Sequence, residues 1–209
     1  MMKVIVDTDV GIDDAMSLAY LPACKNVDIV AITLIAGNEQ IDVIAPSIEK
    51  IATYLGEKST PLYIGGRYNL GGKWIQTNGY FGQNGLGGIQ LPPQEMKVSK
   101  KRSSVEALLH YSRKYPKQIH ALFIGPLTNF CLAFLADNEF PSRLASIMIM
   151  GTDRSDNTIQ NVTKPRGIQH VVRSMGLRHI EGVCFLFRYP YHDCRMDHVL
   201  DIASAILDG

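Results

Sequence analysis

Four aspartates, Asp7, Asp9, Asp13 and Asp14, lie within eight positions near the start of the chain, in the stretch VIVDTDVGIDDAMSLAY. Carboxylates placed this close repel one another, and each raises the pKa of its neighbours unless a cation lies among them. Their hard oxygen atoms suit Ca²⁺ or Mg²⁺. Capping of the helix that follows would explain one or two of the four aspartates but not the whole set. The pattern therefore predicts a metal site or a catalytic site.

Strand-like and helix-like segments alternate along the first 150 residues and must position these carboxylates. Short apolar runs rich in β-branched residues predict strands at 4–6, 28–36, PLYIGG, IHALFIG and ASIMIMG. Apolar residues at helical spacing predict helices at 14–20, 41–55, SVEALLHYSRKY and PLTNFCLAFLAD. This alternation is typical of an α/β fold with a doubly wound, mostly parallel sheet.

The predicted fold brings the polar residues of two strands to the same edge. Asp7 and Asp9 follow the first strand, and Asn38 follows the second, while Asp13 and Asp14 lie around the start of the first helix. Open α/β sheets bind their ligands beyond the carboxyl ends of the strands. We therefore expect these side chains to form one site. The segment 65–88, rich in glycine and asparagine, is expected to be a mobile loop beside it.

Composition excludes several classes of protein. The formal net charge is +1, which gives no electrostatic reason to bind nucleic acid or an anionic membrane. With 46% hydrophobic and 20% charged residues, the 209-residue chain has an ordinary globular composition. We find neither a signal peptide at the start nor a span of about 20 apolar residues that would cross a membrane. The expected location is the cytoplasm.

Several motifs together resemble one family. DTDVGIDDA resembles the amino-terminal signature of the inosine–uridine type nucleoside hydrolases, and AITLIAGN, IGPLTNFCLA and IMIMG follow in that family's order. The resemblance covers residues 3–163. It implies the doubly wound α/β fold, hydrolysis of the N-glycosidic bond of ribonucleosides to base and ribose, a bound Ca²⁺, and a homo-oligomer for full-length members.

The resemblance also implies a set of calcium ligands. Asp9 would bind Ca²⁺ and act as the general base that takes a proton from a water molecule, and Asp14 would be a second ligand. Ile124, just before GPLTN, would offer its backbone carbonyl, so its side chain would not matter. Asp7 would orient the site without binding the metal. For the substrate, the resemblance implies that Asp13 and Asn38 hold the hydroxyl groups of the ribose.

The resemblance ends before the chain does. Where the family has Ala-Glu-Phe-Asn, this chain has Arg166, Gly167, Ile168 and Gln169, and the family's late His-Asp pair is missing. Codons for Arg-Gly-Ile-Gln, displaced by one nucleotide, can encode Ala-Glu-Phe-Asn. We therefore expect residues 1–163 to be a nucleoside-hydrolase-like core that lacks the carboxyl-terminal part of the fold. We expect residues 164–209 to be a divergent tail that is read out of frame, with impaired activity as the result.

Two other functions fit parts of the sequence. VIVDTDV also fits a haloacid-dehalogenase-like phosphatase, in which Asp7 would be the nucleophile, Asp9 the acid and base, and Mg²⁺ the metal. That reading leaves Asp13, Asp14 and the AGN segment unexplained. The third hypothesis is a non-catalytic remnant that binds Ca²⁺ and ribose without releasing base.

Overall fold

The computed structural model describes residues 1–54, 60–68, 81–89, 98–99 and 101–150. Within them, five strands alternate with four α-helices. The strands are β1 (Met2–Thr8), β2 (Val27–Leu34), β3 (Leu62–Ile64), β4 (Ile119–Phe123) and β5 (Ser146–Ile149). The helices are α1 (Ile12–Ala23), α2 (Ile41–Tyr54), α3 (Ser104–Lys114) and α4 (Thr128–Ala136), with a 3₁₀ turn at Pro141–Arg143.

All five strands form one parallel sheet in the order β3-β2-β1-β4-β5. The chain leaves β1 toward β2 on one side, whereas β4 leads to β5 on the other side. The carboxyl ends of β1 and β4 therefore flank a topological switch point, the place where open α/β sheets bind ligands. The predicted α/β class with a parallel, doubly wound sheet is confirmed.

Each face of the sheet has its own apolar core. One face buries Val4 and Val6 of β1 against α1 and α2, including Leu18 and Ile44. We call this the α1/α2 face. The opposite face packs against α3 and α4 and buries three phenylalanines, with Phe130 in edge-to-face contact with Phe123. Helices α1 and α2 connect strands in one direction along the sheet, whereas α3 and α4 connect strands in the opposite direction. Because these crossovers are right-handed, the two pairs of helices lie on opposite faces.

Most element boundaries differ from the sequence predictions by a few residues. Strand β1 is longer than the predicted 4–6, and α1 begins at Ile12, so Asp13 and Asp14 lie inside its first turn. Helix α4 begins at Thr128, because Leu127 is its N-cap residue. The tail predicted for residues 164–209 lies outside the described residues. None of the helices in the described ranges is both long and apolar enough to cross a membrane.

Candidate active site

The loop between β1 and α1 carries the predicted acidic site. Val10 at its centre has a φ of +55°, a left-handed conformation that costs a β-branched residue on the order of 1–3 kcal/mol. Its backbone N–H donates to Thr8 Oγ1 at 3.1 Å, and its side chain is fully buried in the core of the α1/α2 face. This turn sends the chain back so that Asp9 and the first turn of α1 meet.

Asp7 is completely buried below this loop. Its Oδ2 accepts hydrogen bonds from Thr33 Oγ1 at 2.6 Å and from Asn129 Nδ2 at 2.8 Å. Burial raises the pKa of Asp7 to about 7, although both hydrogen bonds oppose the rise. An enclosed carboxylate held on one oxygen by two donors suits a supporting role. It does not suit the phosphatase hypothesis, which needs Asp7 as an accessible nucleophile.

Asp9 lies at the switch point between Gly37 and Gly125. Its Oδ2 accepts a hydrogen bond from the backbone N–H of Asn38 at 2.9 Å. A Cβ atom at Gly37 would lie 2.0 Å from that oxygen, and one at Gly125 would lie 2.9 Å from the Asp9 nitrogen. Burial raises the pKa of Asp9 to about 7, with a further contribution from the charge of Asp13. Glycine at both flanking positions is what lets the backbone enclose this carboxylate.

The remaining two aspartates face the same loop from α1. Asp14 Oδ2 accepts a hydrogen bond from the Gly11 N–H at 2.8 Å, so the capping interpretation is correct for this oxygen. A Cβ atom on Gly11 would lie 2.5 Å from Asp13 Oδ1 and 3.0 Å from Asn38 Nδ2. Burial, followed by the charges of Asp9 and Asp13, raises the pKa of Asp14 well above its usual value. Capping therefore accounts for Asp14 Oδ2, and the other carboxylate oxygens of the cluster need a different explanation.

Ile124 reaches the site from β4. Its N–H donates to the Asp7 carbonyl at 2.9 Å, and the next residue, Gly125, packs directly against Asp9. The structure therefore brings the backbone at Ile124 next to the acidic loop. All six residues singled out from the sequence lie around this one loop: Asp7, Asp9, Asp13, Asp14, Asn38 and Ile124.

Asn129 is a residue that the sequence reading did not single out. Its side chain is fully buried and connects four segments: Nδ2 donates to Asp7 Oδ2 and to the Leu34 carbonyl, and Oδ1 accepts from the Gly66 N–H. A Cβ atom on Gly65 would lie 2.3 Å from Asn129 Oδ1, so this contact requires glycine. The only signal in the sequence was its position in PLTN, directly after the predicted fourth strand.

Replacing Asn129 with leucine should lower the free energy of unfolding by about 2–4 kcal/mol, measured by urea denaturation. The leucine fills similar space but leaves the Gly66 N–H and the Leu34 carbonyl without the amide partner that they have now. Ser112→Ala is the matched control, because its buried hydroxyl donates only to Leu109 O in the same helix among the described contacts. Equal losses in the two variants would contradict the linking role of Asn129.

The described part of the glycine-rich segment, residues 81–89, is held in place by hydrogen bonds and by one buried side chain. Asn84 Oδ1 accepts from the N–H groups of Leu86 and Gly88, and the Leu86 side chain is buried in the core of the α1/α2 face. A Cβ atom on Gly85, at a φ of +74°, would lie 2.8 Å from the Val10 carbonyl. The segment thus packs against the strained turn of the acidic loop. Residues 69–80 of the predicted loop lie outside the described residues.

The acidic loop offers oxygen atoms of the kind that a bound cation needs. Asp7 Oδ1, Asp13 Oδ1 and Asp14 Oδ1 are buried carboxylate oxygens for which the described structure gives no hydrogen-bond partner. Such orphaned oxygens are costly unless a cation or a proton satisfies them. Over the described ranges, however, no three Asp, Glu, His or Cys side chains converge closely enough to hold a metal ion by themselves. The residues present fit part of a calcium shell, which needs further oxygens from backbone, substrate or water.

Without metal, the protein should become less stable as the pH rises from 5 to 8. The pKa values of Asp7 and Asp9 are raised from 3.8 to about 7, so the folded state favours their protonated forms. That stabilisation is complete below pH 3.8 and is lost as the pH rises through 7. We expect a melting temperature several degrees higher at pH 5 than at pH 8 in EGTA, by differential scanning fluorimetry.

Asp7→Asn supplies the control for this pH dependence, because it removes one of the two titrating carboxyl groups together with its charge interaction with Asp9. The variant should show a shallower decline between pH 5 and pH 8. A wild-type melting temperature that rises with pH over this range would contradict the structure's placement of the carboxylates.

An α/β fold with buried carboxylates at its switch point defines a class of ligand-binding or catalytic proteins. Comparison with known proteins identifies the family within this class. The family described as inosine-uridine preferring nucleoside hydrolase matches residues 4–165. The chain belongs to this nucleoside hydrolase family. This confirms the resemblance found in the sequence, and the haloacid-dehalogenase-like alternative is wrong.

Individual relatives agree with the family match. Uridine nucleosidase 1 of Arabidopsis thaliana is 33% identical over 150 residues, which are 71% of this chain and 44% of the relative. The pyrimidine-specific ribonucleoside hydrolase RihA of Salmonella arizonae is 29% identical over 72% of this chain and 48% of its own length. The solved structure of the plant nucleoside hydrolase PpNRh1 has a TM-score of 0.69 at 28% identity, covering 73% of this chain and 48% of that one. The chain therefore spans about half the length of these relatives.

Proposed function

We propose that this chain carries the metal-binding and water-activating part of a ribonucleoside hydrolase, which cleaves the N-glycosidic bond to give a free base and ribose. The observation that carries this proposal is the group of orphaned carboxylate oxygens beside Asp9 at the switch point. Family membership and relatives named as uridine nucleosidase and ribonucleoside hydrolase support the substrate class.

Calcium is the proposed cofactor, held by Asp9, Asp14 and the backbone carbonyl of Ile124. When bound, a calcium ion would grip the ribose hydroxyls and lower the pKa of a water molecule. The support from the structure is chemical: the ligands offered are hard oxygens, and two carboxylates that repel each other need a cation between them. Asp7 lies behind Asp9, and its hydrogen bonds to Thr33 and Asn129 fix the strand end from which Asp9 projects.

Asp9 is the proposed general base. Its carboxylate is nearly enclosed, and one of its oxygens, Oδ2, is held by the Asn38 N–H, which leaves Oδ1 as the oxygen proposed to accept a proton from water. In the metal-free chain burial raises the pKa of Asp9 to about 7, and a bound cation would lower it again and keep the carboxylate ionised, as a proton acceptor must be.

Asp13 and Asn38 are proposed to hold the ribose. Both side chains lie close to Gly11, and both residues are partly exposed. A carboxylate close to the sugar would also stabilise the positive charge that develops on the ribose as the bond to the base breaks.

The test is release of ribose from uridine and inosine, measured as reducing sugar in Ca²⁺ and in EGTA. The proposal requires any release to depend on Ca²⁺ and to disappear in Asp9→Asn. Hydrolysis of p-nitrophenyl phosphate is the control reaction and should not occur. Release that persists in EGTA would exclude the calcium assignment.

A binding remnant without catalysis is the second candidate, because over the described ranges the acidic side chains supply only part of a calcium shell. It predicts that isothermal titration calorimetry detects nucleoside binding in Ca²⁺ while no base is released.

We further propose that residues 164–209 are read out of frame, which the end of the family match at residue 165 supports. A cytoplasmic location, a homo-oligomer of the full-length protein, and the absence of nucleic-acid or membrane partners complete the proposal.

A further inference from the structure

Segment 81–89 forms a compact turn that the side chain of Asn84 closes. Asn84 Oδ1 accepts hydrogen bonds from the N–H groups of Leu86 and Gly88 at 3.0 and 3.1 Å. Asn84 Nδ2 donates to the Ile89 carbonyl at 2.8 Å. Because three hydrogen bonds meet at one side chain, the turn is a single unit.

This turn is anchored to the folded core at two places. The Leu86 side chain is buried in the apolar cluster of the α1/α2 face, which also contains Val10 and Ile44. Ser47, a buried residue of α2, donates its hydroxyl to the Asn84 carbonyl at 2.9 Å. The turn can therefore act as a rigid support for the residues that it contacts.

The turn contacts the acidic loop at two points. A Cβ atom on Gly85 would lie 2.8 Å from the Val10 carbonyl, and one on Gly87 would lie 3.3 Å from Cδ1 of Ile12, the first residue of α1. Glycine is the residue that allows a backbone to approach this closely. Both contacts fall within the stretch that returns the chain from β1 to the first turn of α1.

Val10 is the residue of that stretch that needs support. Its φ of +55° is disfavoured for a β-branched side chain, and such conformations persist only where the surrounding structure holds them. Relaxation of Val10 to extended backbone would redirect the chain between Asp9 and Asp14. It would also separate the Gly11 N–H from Asp14 Oδ2, to which it donates at 2.8 Å.

We propose that Gly85 and Leu86 are positioning residues for the acidic site, because they hold Val10 in its left-handed conformation and thereby fix Asp9 relative to Asp14. In the metal-free chain the result is an ordered acidic loop. In the presence of Ca²⁺ the result is a higher affinity, since a loop that is already ordered loses less entropy when it binds. The statement about Ca²⁺ rests on the proposed function.

Leu86→Ala and Leu108→Ala form the main comparison, because each truncates a buried leucine and Leu108 belongs to the core of the opposite face. Amide hydrogen exchange is measured by NMR in EGTA, with the amide of Leu122 in β4 as the reference for opening of the sheet. We expect Leu86→Ala to speed exchange at Val10 and Gly11 at least about tenfold more than at Leu122. Leu108→Ala should give no such selective rise. Absence of the rise in Leu86→Ala, or the same rise in Leu108→Ala, would overturn the proposal.

Ser47→Ala tests the same support without opening a large cavity in the core. It removes the hydroxyl that donates to the Asn84 carbonyl, whereas Ser112→Ala removes a buried hydroxyl from α3. Exchange at Val10 and Gly11 should rise about threefold in Ser47→Ala and stay at the wild-type rate in Ser112→Ala. Equal exchange in the two serine variants would contradict the anchoring of the turn through α2.

Calcium affinity is the second readout, and it can fail separately. By isothermal titration calorimetry, the Kd for Ca²⁺ should rise at least about tenfold in Leu86→Ala and stay within about twofold of wild type in Leu108→Ala. Equal affinities in the two variants would overturn the proposed link between the turn and the metal. A wild-type chain that binds no Ca²⁺ would count against the calcium assignment, while exchange in EGTA would still decide whether the turn holds the acidic loop.

Discussion

Asp14→Ala is expected to abolish the rise in melting temperature that Ca²⁺ gives the wild-type chain. A ligand that binds only the folded state stabilises it by about 2.7 kcal/mol at a concentration about 100-fold above its Kd. For a chain of this size that corresponds to about 5–10 °C. Asp14 offers the metal an oxygen that has no described partner, and alanine offers none. Fluorimetry over a calcium titration measures the response.

The response to Ca²⁺, rather than the melting temperature itself, is the quantity to compare. Removing Asp14 also removes repulsion from Asp9 and Asp13, so we expect the metal-free variant to start from a higher melting temperature than wild type. Asp28→Ala is the control, because Asp28 pairs with Lys3 at the start of β2, the opposite end of the strands. If wild type and Asp14→Ala respond equally to Ca²⁺, the ligand assignment is wrong.

The second large effect is on turnover. We expect the 209-residue chain to release base from uridine or inosine barely above background, and a version with the reading frame restored to be faster by at least about a hundredfold. Under the proposed function the chain would offer a base and part of a metal shell, without the later ribose-binding and calcium-binding groups that the family resemblance implies. Loss of one such group typically costs about ten- to a thousandfold in rate or metal affinity, and the losses do not simply add.

Asp9→Asn in the frame-restored protein is the control for this comparison. It keeps the size of the side chain and removes the proton acceptor, so it should reduce turnover to the level of the 209-residue chain. Rapid turnover by the 209-residue chain itself would show that residues 164–209 complete the site, and would contradict their assignment as an out-of-frame tail.

Much of this architecture was predictable because local patterns determine it. The apolar run before Asp7 and the β-branched run 28–36 predicted strands of one mostly parallel sheet, and the structure pairs β1 with β2 in parallel, with one register shift between Val4 and Ile5. The rule that ligands bind at the carboxyl ends of strands then placed Asp9 and Asn38 together. Both conclusions needed only the order of the elements along the chain and the chemistry of carboxylates.

The supporting contacts were not predictable in the same way, because they join residues distant in sequence. Asn129 lies 122 positions from Asp7, and nothing local distinguishes its amide from that of a helix-capping asparagine. The left-handed turn at Val10 also escaped prediction, since valine disfavours positive φ and only the surrounding core holds it there. Such contacts can be identified only from the three-dimensional structure of the whole sheet.

The same long-range hydrogen bond has a consequence for the order of events during synthesis. Strand β1 emerges from the ribosome early, but Asp7 can acquire its Asn129 donor only after 122 further residues have been translated. Until then the Asp7 carboxylate stays hydrated, because strand β4, which pairs with β1, and the Asn129 amide of α4 have not yet been synthesised. The acidic loop would therefore be a late product of folding, and a ribosome-stalled chain that ends before Asn129 should expose to solvent the very carboxylates that the finished protein buries.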